Sequence, residues 1–121
     1  IGGSGIAATL RDYGRFALFM LAHGKAKNEM MLPDGWTYEA TTPRQLKNGR
    51  PLAYGYLWWP ATNIEGMRDA AYAAIGIHGQ AMYLNPKTQT VVVLWGAQTQ
   101  ATGAAGSDYW SFFNAVNSAL R

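Results

Sequence analysis

Residues 72–95 decide how this chain is read: Tyr72-Ala73-Ala74-Ile75-Gly76-Ile77-His78-Gly79-Gln80-Ala81-Met82-Tyr83-Leu84, then Asn85-Pro86-Lys87-Thr88-Gln89, then Thr90-Val91-Val92-Val93-Leu94-Trp95. β-Branched and aromatic residues recur through the first run and dominate the last, and turn residues separate them, which is strand behaviour. Pro86 falls at the second turn position, where its fixed φ is favourable. The spacing predicts one long strand over 72–84 and another over 90–95, paired as an antiparallel hairpin. The run Val91 to Trp95 lacks polar alternation, so the sheet should be covered on both faces.

Working outward, residues 54–59 read as a third strand stopped by Pro60. Upstream, Thr9-Leu10-Arg11-Asp12 has the form of a helix start, in which the Thr hydroxyl caps an orphan N–H and the acid favours the positive end. Leu10, Tyr13, Ala17, Met20 and Leu21 recur at helical spacing, and His23-Gly24 supplies a stop, so a helix is expected over 10–23. Residues 28–32 suit one helical turn, and Pro33-Asp34 suits the start of a short helix reaching about residue 40. Residues 41–52, with two prolines and Asn48-Gly49, read as loop, as do 98–106. Ser107-Asp108 should cap a last helix over 108–120, with Tyr109, Phe112, Phe113, Val116 and Leu120 on one side. The expected class is therefore α+β, an antiparallel sheet of three strands packed by helices.

Hydrophobic residues make up 49% of the 121, enough for one domain with a sizeable core. Charged residues reach only 14%, against roughly 25% in an ordinary domain. Two full helices cannot easily cover both faces of such a sheet, so strands and helices from elsewhere are expected to complete it. The ten Lys and Arg are scattered without an aromatic-laced stripe, which argues against nucleic acid. Cysteine is absent, which excludes disulfides and thiolate metal sites. No signal peptide or membrane span is visible, and the opening Ile1-Gly2-Gly3-Ser4-Gly5 reads as starting in mid-domain, with the compartment left open.

Several chemistries fail on spacing. Gly2-Gly3-Ser4-Gly5 is not a nucleophile elbow, because Ile6 stands where a Gly is needed, and a turn before the helix is the simpler reading. None of Ser4, Ser107, Ser111 or Ser118 is followed by Lys one helical turn on, the arrangement that lets an amine take the hydroxyl proton. His23 and His78 are too few for a metal site, and neither cofactor nor metal is expected. Tyr83 and Asn85 read as structural, one packing and the other opening the turn. Two glycines inside a strand, at Gly76 and Gly79, mark close approach of a ligand or of another backbone. Packing beneath a tryptophan would account for Gly76, with His78 as a hydrogen-bonded sheet residue. Alternatively, the lack of bulk at Gly76 exposes the Ile77 N–H to a substrate carbonyl, where it would stabilise an oxyanion.

The ordered set of residues 2–16, Tyr54-Gly55-Tyr56-Leu57-Trp58-Trp59, Gly76-Ile77-His78-Gly79-Gln80, Asn85-Pro86 and Val91-Val92-Val93-Leu94 resembles the C-terminal third of class C β-lactamase-like serine hydrolases, nearest the 6-aminohexanoate-dimer hydrolase and esterase branch. The resemblance implies a β-lactamase/transpeptidase-like fold, with 1–121 forming the C-terminal part of its α/β subdomain and the remainder upstream. By that match Ala74-Ile75-Gly76 stands at the family's Lys-Thr-Gly triplet, Ile77 at the second oxyanion N–H, His78 beside it as mainly a supporting group, and Gly5 and Ile6 on the pocket rim, so that Ala74, Ile75, Gly76, His78, Gly5 and Ile6 are expected to line the substrate site. Ala74 has no cation and Ile75 no hydroxyl, so the groups that hold a β-lactam carboxylate are missing. Charge-assisted bonds of that kind contribute roughly 1.5–3 kcal/mol each, and their loss shifts the expectation toward a small neutral amide or ester. The implied function is acyl-enzyme hydrolysis, with the nucleophilic Ser and its Lys upstream of Ile1, the remaining polypeptide as partner, and 1–121 inactive alone. A non-catalytic binding module on the same fold, or a true β-lactamase or D-Ala-D-Ala carboxypeptidase, are the alternatives.

Overall fold

A computed structural model of the chain describes residues 5–102 and 108–120, so the turn read at Gly2-Gly3-Ser4 and the Ser107 cap lie outside the described residues. The first helix, α1, runs Leu10–Leu21 from an N-cap at Thr9. The Thr9 hydroxyl accepts from the Asp12 N–H and donates to the Asp12 carboxylate at 2.7 Å. That donation, followed by the Arg15 guanidinium 2.7 Å away, holds the Asp12 carboxyl below the usual carboxylate range. The helix stops two residues short of expectation, because His23 and Gly24 adopt left-handed φ of +56° and +82°. A side chain at Gly24 would also strike Leu32, 2.6 Å from its ideal Cβ.

The turn expected at 28–32 is instead part of a two-stranded ribbon, β1 (Lys25–Ala26) and β2 (Glu29–Met30). Lys27 and Asn28 both have positive φ, +47° and +68°, as a two-residue hairpin loop of the primed type requires. Helix α2 spans Trp36–Thr41, starting later than Pro33-Asp34 suggested because Gly35 is left-handed at φ +76°, with the Trp36 N–H on the Pro33 carbonyl at 3.1 Å. The 41–52 loop holds a second ribbon, β3 (Arg44–Gln45) with β4 (Pro51–Leu52), turned at Asn48-Gly49.

The main sheet has four strands rather than three, in the order β5 (Trp59–Pro60), β6 (Tyr72–Ile75), β7 (Ala81–Asn85) and β8 (Thr90–Leu94), all antiparallel. Residues 54–58 are not strand: Leu57 has φ +65° and the Gly55 N–H closes onto the Trp58 carbonyl. A short helix α3, Ile64–Arg68, fills the β5 to β6 connection and was not foreseen. The long strand over 72–84 divides at a turn, since His78 and Gly79 have φ of +60° and +97°, values no strand can contain. The β7 to β8 turn is held by Asn85, whose Oδ1 accepts from the N–H groups of Lys87 and Thr88 at 3.0 and 3.1 Å.

Strand parity sorts the core into two layers. Tyr72, Met82 and Leu84 face α1 with Ala17, Met20, Leu21 and Trp58, joined by Ala74, Val91 and Val93. Ala73, Ala81 and Tyr83 face the last helix, α4 (Tyr109–Ala119), with Phe113, joined by Ile75, Val92 and Leu94. Both faces are covered, as the unbroken valine run required. Tyr83 stacks on Phe113 with ring centroids 4.5 Å apart. Phe112 and Leu120 are exposed, so the buried side of α4 runs instead through Phe113 to Asn117. Asn117 donates to the Tyr83 hydroxyl and accepts from Thr88, which makes it a buried polar link rather than a break in the pattern.

Candidate active site

The β6 to β7 turn is one place where, among the described residues, the chain offers unpaired backbone. Trp59 and Pro60 pair with Ala73 and Tyr72 only, so from Ala74 onward β6 has β7 on one side and, among the described residues, no strand on the other. Gly76 is extended, at φ −100° and ψ 167°, and its N–H bonds to the Gln80 carbonyl at 2.9 Å, toward β7. Successive amides in an extended chain point to opposite sides, so the next N–H, that of Ile77, is directed at the open edge. Ile77 is 60% exposed, and no hydrogen bond from its N–H occurs among the described residues. Ala74 and Ile75 are half-buried in the sheet, one on each face, and Gly76 is exposed. A Cβ on Gly76 would meet the Gln80 side chain, 3.1 Å from Oε1. Gly76 thus lies against a glutamine, and the tryptophan of the packing reading is not among its nearest neighbours.

His78 is half-buried and points away from the open edge into a neighbouring segment. Its ring Nδ1 lies 2.8 Å from the Gln98 carbonyl, an oxygen that can only accept, so the proton of the neutral ring sits on Nδ1. His78 therefore acts as a bracket in this structure. Gly5, with φ +85°, and Ile6 reach the same end of the sheet at second hand. The Ile6 carbonyl accepts from the Tyr13 hydroxyl, and the Tyr13 ring meets Trp95 edge-on at 6.2 Å. The adjoining Gly96 carbonyl accepts from Gln80 Nε2 at 3.3 Å. Trp95, Gly96 and Gln98 are the residues the sequence reading passed over. The signal was available in Gly96, whose Cβ would lie 2.6 Å from the Gly79 carbonyl, a close backbone approach that only glycine permits.

None of residues 72–85 is Asp, Glu, Lys or Arg, and none of 88–107 is. The open edge at residues 74–77 is therefore uncharged on its own strand, with Ile77 exposed, while Trp95 follows β8 on the far side of β7. Among the described residues there is no group of three His, Cys, Asp or Glu side chains able to hold a metal ion, and no helix is long and apolar enough to cross a membrane.

No family model matches the chain. It is 32% identical over 98 residues to the 6-aminohexanoate-dimer hydrolase of Paenarthrobacter ureafaciens, a match covering 74% of this chain and 24% of that protein. The chain is a relative of 6-aminohexanoate-dimer hydrolase. Its fold agrees: a solved structure from Bacillus anthracis named "Putative 6-aminohexanoate-dimer hydrolase" superposes with a TM-score of 0.75 at 24% identity, over 93% of this chain and 29% of that one. The mixed helices and antiparallel sheet are thus part of a β-lactamase-like fold, and the chain spans about a quarter of the length of the hydrolase it matches.

Proposed function

We propose that residues 1–121 supply the sheet edge and one oxyanion donor of a serine hydrolase that cleaves a small, locally uncharged amide or ester through an acyl-enzyme. The observation that carries this reading is the Ile77 N–H, without a hydrogen bond among the described residues and borne by an exposed residue at an open strand edge, in a relative of an enzyme named for hydrolysing an amino-acid dimer. A serine outside 1–121 attacks the substrate carbonyl, and the oxyanion that forms is held partly by Ile77. Collapse expels the amine or alcohol, and water then attacks the serine ester, releasing the acid and restoring the hydroxyl. Such a donor is worth about 2.7–4 kcal/mol of transition-state stabilisation. The neutrality of the edge and the absence of a cation at Ala74 support amides and esters over β-lactams.

The test is to assay p-nitrophenyl esters and a linear 6-aminohexanoate dimer with the full-length protein and with residues 1–121 alone. Turnover by the former and none by the latter is expected. Turnover by the isolated segment, or an inert full-length protein, sinks the proposal.

A further inference from the structure

The Ile77 N–H can serve only if the turn that presents it is fixed, and the segment that fixes it lies twenty residues away. His78 adopts φ +60°, a left-handed conformation that a non-glycine residue holds only when its surroundings impose it. Three hydrogen bonds do so. The His78 N–H donates to the Ala101 carbonyl at 2.9 Å, the Gln98 N–H donates to the His78 carbonyl at 2.9 Å, and His78 Nδ1–H donates to the Gln98 carbonyl at 2.8 Å. The Gln98 side chain lies over Gly79, 3.0 Å from where a Cβ would stand, and Gly96 abuts the Gly79 carbonyl. We infer that segment 96–101 is a clamp, and that His78 and Gln98 are positioning residues which set the direction of the Ile77 N–H without touching substrate. This rests on the reading of Ile77 as an oxyanion donor.

A bracket bonded on both sides of one residue controls angle more than occupancy. Loosening it leaves the substrate free to enter and misdirects the donor, so the loss should fall on kcat and spare KM. His78→Gly keeps the left-handed backbone and removes the ring donor. His78→Asn keeps a tolerated conformation and offers an amide donor to the Gln98 carbonyl. In the full-length protein, His78→Gly is expected to lower kcat for a p-nitrophenyl ester about tenfold to a hundredfold with KM within about twofold, and His78→Asn to recover part of the loss. Amide hydrogen exchange gives a readout independent of turnover: the amides of residues 78 and 98 should exchange at least about tenfold faster in His78→Gly, with distant amides unchanged.

Unchanged exchange at those two amides overturns the clamp whether or not the enzyme is active, as does an unchanged kcat in an active protein. If His78→Gly fails to fold, the same measurements on His78→Asn decide, with wild-type exchange and kcat counting against the clamp. An inactive wild type with faster exchange in the variant contradicts the hydrolase reading and leaves the clamp's mechanical part standing.

Discussion

Asn85 Nδ2 donates to the Asp69 carboxylate at 3.0 Å, and the two residues are 1% and 4% exposed. One asparagine at the end of β7 therefore satisfies a buried acid at the end of α3 while its oxygen holds the next turn. It also lies 3.2 Å from the Tyr83 hydroxyl, which Asn117 bonds from α4. Asn85→Ala removes a donor from a buried carboxylate and leaves two turn N–H groups without their acceptor. A destabilisation of about 2–3 kcal/mol is expected by urea unfolding. A change under about 1 kcal/mol would mean that water replaces the asparagine.

Ile77→Pro deletes the proposed donor with little strain, because proline suits the first residue of a helical turn and Gly76 already has the extended conformation required before proline. In the full-length protein kcat should fall by about 10²–10³ with the melting midpoint kept. Ile77→Ala, which retains the N–H, should lose less than about tenfold. Equal losses in the two variants would place the contribution in the side chain.

Tyr72 is 2% exposed, its hydroxyl has no hydrogen-bond partner among the described residues, and burial pushes its pKa up to about 12. The folded state thus keeps a proton that the unfolded chain releases near pH 10. The stability this gives is fully present below pH 10 and is lost as pH rises toward 12. Tyr72→Phe should flatten that alkaline limb and leave neutral-pH stability equal or higher by about 1 kcal/mol. An identical alkaline limb in the variant would locate the titration elsewhere.

A Cβ on Gly55 would lie 2.0 Å from the Ala40 carbonyl oxygen, which already accepts the Tyr56 N–H at 2.8 Å. Gly55→Ala must push α2 away from residues 54–58 and is expected to destabilise by about 1–3 kcal/mol, measured by thermal or urea unfolding. An unchanged midpoint would show that this junction yields without loss.

The legible parts of the fold are those where one local rule acts alone. Thr9 and Asp12 announce α1, and the alternation hidden in Val91 to Leu94 appears once both faces have a helix. The first ribbon escaped because its turn relies on Lys27 and Asn28 in left-handed conformations that their identities only weakly suggest, and the second because its two-residue strands are too short to show a pattern around Asn48-Gly49. At the site, Gly79 does mark a close approach of another backbone, that of Gly96, which no local pattern around residues 76–80 can reveal, whereas Gly76 lies against the Gln80 side chain. His78 reads as a supporting group from sequence, and the structure supplies what it supports against: a carbonyl twenty residues downstream.

Strand β8 closes the sheet on one side, and among the described residues nothing pairs with its outer edge. That edge reads Thr90-Val91-Val92-Val93-Leu94, without a charge, a proline or a bulge to blunt it. Such an unblunted edge is the kind that templates pairing with another chain, so these 121 residues by themselves are expected to aggregate through β8.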